Sequence, residues 1–206
     1  MKEISYKEAI DFLLPLHYSG RKPTISFAFG YYEEGVLKAV CTFGKLASHS
    51  LCIGVCGEEY SDKVFELNRL CVNGEIKIQL SKFVSWCLNQ LKHLNLIIVS
   101  YADTQMNHCG YIYQATNWIY TGKTKRRTDK YAEGNKHSRH YDRDAIELVR
   151  KVRSAKHRYI YFCCNKGSKN AYLRPLNYEI FPYPKGKSKK YVLGEYIKQE
   201  LIYLDK

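Results

Sequence analysis

The spacing of apolar side chains divides the first part of the chain into alternating helices and strands. Between residues 78 and 94, apolar residues recur at three- and four-residue steps, which predicts an amphipathic helix. Residues 96–99 (LIIV) form a continuous apolar run that is typical of a strand covered on both faces of a sheet. A further helix is predicted over residues 5–14, with Ser5 as its N-cap.

Other runs predict the remaining strands. Residues 24–29 and 36–43 are rich in β-branched and aromatic side chains, and they are predicted to pair as a hairpin that turns at residues 33–35. A strand is predicted over residues 66–72 within the run VFELNRLCV, and this strand contains charged residues among apolar ones. Such charges must be paired or face a cleft. Residues 54–59 are rich in glycine and support no assignment.

Elements after residue 99 complete the picture. We predict a helix over residues 104–116, a strand over 118–120, a basic loop, a short helix over 144–152, and a strand within RSAKHRYIYFCC. The predicted fold class is α/β (α+β): a mixed central sheet flanked by helices, with a basic C-terminal extension.

Composition excludes several classes of protein. Hydrophobic residues make up 45% of the chain and there are 19 tyrosines, which excludes a disordered protein. No signal peptide and no long apolar span is present, so we expect a soluble protein of the cytoplasm with no membrane association. The eight cysteines form no C-x-x-C pair, which indicates free thiols in a reducing compartment and assigns no metal site.

The charge is unevenly distributed. Residues 1–122 carry 11 Lys/Arg and 11 Asp/Glu, whereas residues 123–206 carry 22 and 9. We therefore predict a neutral catalytic core over 1–122 and a basic part over 123–206 that completes the domain and contacts double-stranded DNA. A solvated basic surface without a partner is the alternative. The predicted nucleic-acid-binding residues are Arg21, Lys125, Arg126, Arg127, Arg139, His140, Arg153, Lys156, Arg158 and Lys185.

One strand end carries candidate chemistry. Ser100, Tyr101 and Asp103 follow the buried run 96–99, at the carboxyl end of a strand, where open α/β sheets usually bind ligands. Asp103 also directly precedes a predicted helix, so a helix cap is the alternative role.

Several motifs together resemble one family. The segments LHYSGRKPTISFAFG, VFELNRLCV, VSYAD, GYIYQATNWIYTG, RSAKHRYIYF and PYPK resemble, in this order, the bacteriophage Mom family of DNA-modifying proteins. The resemblance implies a GNAT-like N-acyltransferase fold. It also implies an enzyme that converts adenine in double-stranded phage DNA to N6-carbamoylmethyladenine, which protects the DNA from host restriction endonucleases in the bacterial cytoplasm.

The resemblance also implies residue roles. Asp103 becomes the candidate base or the acceptor for adenine N6, and Tyr113 the donor of a proton to the departing group; packing is the alternative for Tyr113. Arg69 is expected to bind a phosphate or a donor carboxyl group, or else to pair with Glu66 or Asp103. The family pattern also suggests Ser81.

Further candidates complete the site. His17 and Tyr18 are expected to act as acid and base or to ligate a metal such as iron, although no carboxylate partner lies in the same motif. Ser100 joins the catalytic set through its place at the strand end. Ser81, Asn68 and Arg69 are the candidate cofactor-binding residues.

The donor of the transferred group is left open. GNAT enzymes ordinarily carry an R/Q-x-x-G-x-G/A loop before the long helix, whereas this chain reads CVNGEIKIQLS. An acetyl-CoA-like donor follows from the fold, and glycyl-tRNA is the alternative hypothesis. A CoA donor or a tRNA is thus the expected second partner, and a homodimer is one option for assembly.

Three functions are compatible with the sequence. The leading one is a DNA adenine N6-modifying transferase, which requires the adenine to be flipped out of the duplex and stacked on a ring such as Tyr101 or Trp118. The alternatives are a GNAT acyltransferase acting on a small amine or a protein, and a DNA-binding module without enzymatic activity.

Overall fold

The computed structural model describes residues 1–131, 146–186 and 200–204. Its strands are β1 Lys2–Glu3, β2 Phe27–Glu33, β3 Val36–Gly44, β4 Val64–Val72, β5 Leu96–Asp103, β6 Ile119–Lys123, β7 Arg127–Tyr131, β8 Ile146–Arg153, β9 Lys156–Cys163 and β10 Leu201–Tyr203. Its α-helices are α1 Tyr6–Leu16, α2 His49–Cys56, α3 Leu80–Leu91, α4 Tyr111–Ala115 and α5 Lys166–Leu173.

Seven strands form the central sheet, in the order β1-β2-β3-β4-β5-β9-β6. The β4 and β5 strands run parallel to each other, and the other neighbours in this sheet are antiparallel. The sheet is therefore mixed, as the sequence predicts. Strand β9 lies between β5 and β6, so the basic second part of the chain supplies an interior strand to the central sheet. A second sheet has the order β10-β8-β7.

Local signals explain the first elements. The Ser5 hydroxyl accepts a hydrogen bond of 3.2 Å from the backbone N–H of Glu8 and so caps α1, as predicted. The hairpin of β2 and β3 turns at Glu34 and Gly35, which both have positive φ. Glycine adopts this backbone conformation without steric cost, which places the turn where the sequence predicts it.

Helices cover both faces of the central sheet. The α3 helix buries the apolar stripe that its periodicity predicts, and it packs with residues of α4 against the even-numbered side of β5. Side chains from α2 and α5 pack against the opposite face, with Ile97 and Val99 of β5 between them. The apolar run 96–99 is accordingly buried on both sides, as expected for a central strand.

The β4 and β5 strands separate in the middle of the sheet. They are paired only from Val64 with Ile97 to Glu66 with Val99. Beyond this point β4 continues beside β3, while β5 continues beside β9. The strand β4 also contains an irregularity near Asn68, where its register with β3 shifts. The diverging strands leave a wedge-shaped opening at the carboxyl end of β5.

Three sequence predictions of local structure are wrong. The helix expected over residues 104–116 is a 3-10 turn followed by α4, because Asn107 and Gly110 adopt left-handed conformations that interrupt it. The helix expected over residues 144–152 is strand β8, whose partners are β7 and β10. The basic loop contains β7, and the unassigned segment near residue 54 belongs to α2.

Residues 176–186 form an edge-capping segment along β6. The backbone N–H of Phe181 donates to the Tyr120 carbonyl at 3.0 Å, and the Tyr183 hydroxyl donates to the Trp118 carbonyl at 2.6 Å. The segment thus occupies backbone acceptors at the edge of the sheet, which would otherwise be open to another strand. Among the described residues, no helix has the length and apolar character needed to cross a bilayer.

Candidate active site

A cavity of about 1110 Å³ opens where β4 and β5 separate. Its lining comes from the ends of both strands, the loop after α1, the start of α3, and α4. The cavity is lined by His17, Tyr18, Ser81 and Tyr113, so the structure brings together predicted site residues from three segments that lie far apart in the sequence. Polar groups converging on one concave space are typical of ligand-binding sites.

Ser100 and Tyr113 form a buried hydroxyl pair beside the cavity. The Ser100 Oγ lies 2.7 Å from both the Tyr113 hydroxyl and the Leu67 carbonyl oxygen. A serine hydroxyl has one proton, so when Ser100 donates to Leu67 it accepts from Tyr113, and when it donates to Tyr113 it stabilises the phenolate. Burial raises the pKa of Tyr113. The tyrosine is therefore protonated at neutral pH, the state that a proton donor requires.

The rings of His17 and Tyr18 stack at the cavity wall, with their centroids 4.4 Å apart. The backbone N–H of Ser19 donates to His17 Nδ1 at 3.2 Å, so in the neutral ring Nε2 carries the proton. Burial, followed by the positive charge of Arg69, lowers the pKa of His17 to about 3. His17 is thus a neutral group whose Nε2 can donate a hydrogen bond.

Arg69 is half-buried, and its buried Nε is an unused hydrogen-bond donor. Its guanidinium donates to the Asn68 carbonyl at 2.7 Å and to the Arg21 carbonyl at 3.4 Å, but its Nε has no hydrogen-bond partner in the described part of the chain. Burial lowers the pKa of Arg69, while Tyr18 and Glu66 raise it. A buried donor without a partner costs stability, which favours a role for Arg69 in binding an anionic group.

Asn68 has a different set of contacts. Its Oδ1 accepts from the Thr42 hydroxyl at 2.7 Å, and its Nδ2 donates to the Thr24 carbonyl at 2.6 Å. These bonds join β4 to β3 and to the segment before β2. The amide therefore holds the irregular part of β4 in place, and its role as a cofactor-binding residue stays a prediction.

Asp103 is held by three neighbours. Its Oδ1 accepts from the backbone N–H of Gln105 at 3.0 Å and from the Ser154 hydroxyl, and its Oδ2 forms an ion pair of 3.1 Å with Lys156. Burial would raise the pKa of Asp103, but Lys156 and the hydrogen bonds outweigh it and hold the pKa below its usual range. The structure thus shows the helix-cap role, and the role as base stays a prediction.

One wall of the cavity lies at the start of α3. Ser81 and the loop residues Asn73, Gly74 and Glu75 line it, together with the first turn of the helix. Helix N-termini favour anions. However, no Lys or Arg is among the described residues that line the cavity, and Glu75 adds a negative charge.

The predicted DNA-binding residues fall into three groups. Arg21, Lys125, Arg127 and Lys185 are exposed. The others in the described part of the chain have partners within the fold: Arg126 pairs with Glu200, Arg153 with Asp129 and Lys156 with Asp103, and Arg158 bonds to Thr121 and lies over the Tyr178 ring. Arg139 and His140 lie outside the described residues.

Sequence reasoning missed three residues near the site. The sequence indicates Glu66 as a charge within a strand and as a possible partner of Arg69 but not as a site residue, yet it lies where β4 and β5 separate. Burial lowers the pKa of Lys151 of β8, and the positive charge of nearby Arg21 lowers it further. Tyr111 is 69% exposed at the cavity rim. The charge inside an apolar strand was the one available signal, and it pointed to Glu66.

The two proposed stacking rings differ in access. Trp118 is 1% exposed and lies in the core, so it cannot contact a base without unfolding its surroundings. Tyr101 is half-buried and lines the cavity. In the described ranges, no cluster of three or more His, Cys, Asp or Glu side chains is placed to hold a metal ion.

Comparison with known proteins identifies the family. The Mom protein family matches residues 1–185, which include every element that lines the cavity. This chain belongs to the Mom protein family. No curated protein matches the chain. Among solved structures, it is similar to an N-acetyltransferase from Staphylococcus aureus Mu50, with 12% identity, a TM-score of 0.49, and coverage of 79% of this chain and 96% of that chain.

Proposed function

We propose that this member of the Mom protein family modifies the N6 amino group of adenine in double-stranded DNA, giving N6-carbamoylmethyladenine. The observation that supports it most directly is that His17, Tyr18 and Tyr113 line one cavity at the opening between β4 and β5. Ser100 is hydrogen-bonded to Tyr113, and Arg69 is close enough to Tyr18 to interact with it electrostatically. These residues come from segments whose order resembles the Mom family, and the family match covers all of them.

The residues can be assigned to the requirements of the reaction. Adenine N6 is a weak nucleophile, so the site must hold it near an electrophilic carbon, stabilise developing negative charge and protonate the departing group. Tyr113 supplies the proton, and Ser100 stabilises the phenolate that is left. The N–H groups at Arg69 Nε and His17 Nε2 are available to donate hydrogen bonds to a carbonyl oxygen of the substrate that supplies the transferred group.

The basic residues provide the second part of the proposal. Exposed Arg21, Lys125, Arg127 and Lys185 would contact phosphates, which contribute affinity without sequence preference. Lys151 extends the positive surface towards Arg21, next to the loop that carries His17 and Tyr18. DNA bound there would present a flipped adenine to the opening between β4 and β5.

The donor is proposed only as an activated group that supplies the two carbons and the one nitrogen of the product. The described residues that line the cavity at the start of α3 include no Lys or Arg, and no step is assigned to an acyl-CoA cofactor. Purified protein and duplex DNA, incubated with acetyl-CoA alone or with glycyl-tRNA alone, would distinguish the two donors.

The deciding experiment uses DNA from bacterial cells that express the protein. The DNA is digested to nucleosides and weighed by mass spectrometry, for the wild type, Tyr113→Phe and the matched control Tyr6→Phe, whose ring is exposed on α1. We expect N6-carbamoylmethyladenine with the wild type and the control, and a loss of at least about tenfold with Tyr113→Phe.

Other outcomes identify the alternatives. DNA binding with no modified nucleoside would point to a DNA-binding module. Acylated polyamines or protein lysines with unmodified DNA would point to an acyltransferase that acts on amines. Either result would show that the proposed function is wrong.

A further inference from the structure

Two carboxylates lie on the same face of the sheet, at the opening between β4 and β5. Asp103 follows Val99 and Tyr101 on β5, and alternation along the strand places these three on the face of α2 and α5. Glu66 follows Val64 on β4 and lies on the same face. Glu66 is also the last β4 residue that pairs with β5, so it marks the point where the opening begins.

The contacts of the two carboxylates are different. Both oxygens of Asp103 are occupied, by Lys156 on one side and by Ser154 and the Gln105 N–H on the other. The Glu66 carboxylate forms no hydrogen bond and no ion pair with any described residue. It is nevertheless partly buried. A partly buried carboxylate without a partner retains its capacity to accept a proton from a ligand.

The charges around Glu66 favour this capacity. Burial raises the pKa of Glu66, and Arg69 and Lys156 lower it in part. Groups from several elements face it electrostatically: Arg69 from β4, Lys156 from β9, Tyr101 from β5, Tyr113 from α4, and Tyr18 from the loop after α1. A carboxylate whose pKa is closer to neutrality is the stronger base, whereas the pKa of Asp103 is lowered.

We propose that Glu66, rather than Asp103, is the carboxylate that contacts the acceptor amine and takes its proton. This inference rests on the proposed function. In the step, a bond forms between adenine N6 and the electrophilic carbon of an activated donor that supplies two carbons and one nitrogen. The bond from that carbon to the leaving group breaks, and its electron pair goes to the leaving group, which Tyr113 protonates. The N6 proton goes to Glu66. Asp103 positions Lys156 at the edge of the same face.

The test compares Glu66→Gln with the matched variant Asp103→Asn, because each removes one carboxylate charge with little change in shape. Modified adenine is measured in DNA from expressing cells at fixed times after induction. We expect Glu66→Gln to lower the rate of modification about 100-fold or more. Asp103→Asn should lower it less than tenfold, and Glu66→Asp should restore part of the lost rate.

Two further measurements distinguish a lost proton acceptor from a loss of folding, and they test the inference independently of the proposed function. Urea unfolding of each variant shows whether a loss of rate reflects lost structure. An NMR titration of the Glu66 carboxyl in the free wild-type protein should show a pKa above the ordinary value of 4.5. The Asp103 carboxyl should titrate below its ordinary value of 3.8.

The outcomes are distinct. A wild-type protein that leaves adenine unmodified in cells contradicts the proposed function. A wild-type protein that modifies adenine while Glu66→Gln does so equally well overturns the inference alone. A folded Asp103→Asn that loses the rate while Glu66→Gln keeps it assigns the base to Asp103. A Glu66 carboxyl that titrates at or below 4.5 also overturns the inference.

Discussion

Gly110 holds the loop before α4 against the ring of Tyr159, and replacing it by alanine should be costly. Gly110 has φ of +80°, and a Cβ added there would lie 2.3 Å from Tyr159 Cε2. Gly35, at the turn between β2 and β3, has the same φ of +80° but has nothing within 4 Å of an added Cβ. The two glycines therefore share the backbone cost of substitution and differ only in packing.

The magnitudes follow from this difference. In either variant, a side chain in the left-handed conformation costs about 1–2 kcal/mol. Gly110→Ala also meets a ring that cannot move easily, because Tyr159 is fully buried, its hydroxyl donates to the Cys109 carbonyl, and Gln114 donates to it at 3.2 Å. Such overpacking adds about 1–3 kcal/mol. We expect losses of about 1–2 kcal/mol for Gly35→Ala and about 2–5 kcal/mol for Gly110→Ala.

Urea unfolding followed by circular dichroism measures both losses. In thermal unfolding, each kcal/mol corresponds to about 2–4 °C for a domain of this size. Because Gly110 immediately precedes Tyr111 and the helix that carries Tyr113, we also expect Gly110→Ala to lower adenine modification, and Gly35→Ala to leave it unchanged. Equal unfolding midpoints for the two variants would refute the packing argument.

Three other predictions concern the site and the basic surface. Between pH 6.5 and about 3 the unfolded chain binds more protons at His17 than the fold does, so the free energy of unfolding falls as the pH is lowered. At pH 5 the buried neutral His17 lowers the free energy of unfolding by about 2 kcal/mol. His17→Gln should remove this loss, which urea unfolding at pH 7 and at pH 5 would show. Ser100→Ala should cost about 1–3 kcal/mol by leaving buried groups without a partner, and the cost should shrink in a Tyr113→Phe background, measured as a double-mutant cycle. Arg127→Ala should lower the salt slope of DNA binding by about one. Arg126→Ala should lower the slope by less, because the Arg126 side chain already pairs with a glutamate. Binding titrations at several salt concentrations would test both.

The sequence predicted those parts of the fold that local pattern determines. The periodic helix α3, the buried strand β5 and the hairpin of β2 and β3 are confirmed because their signals lie within a few residues of each other. Strand β8 was mistaken for a helix because its buried Val149 and Val152 are three residues apart, a helical spacing. Its pairing with β7 and β10 overrides that local preference.

The sequence proposes members of the candidate site but not their contacts. It links His17, Arg69 and Tyr113 through family motifs; in the structure His17 and Tyr113 line one cavity, and Arg69 acts electrostatically on His17. It could not show that Asp103 is bound by Lys156, since that pairing depends on the antiparallel register of β5 with β9, more than 50 residues later in the chain.

The order of strands also affects how the protein is made. Strand β9 lies between β5 and β6, so the central sheet cannot close until residue 163 has been synthesised, and β6 stays uncovered until residues 181–183 have followed. The nascent chain therefore carries an incomplete sheet for most of its translation. Stop codons or ribosomal stalling anywhere before residue 183 should yield aggregating fragments, even when every residue around the cavity is already present.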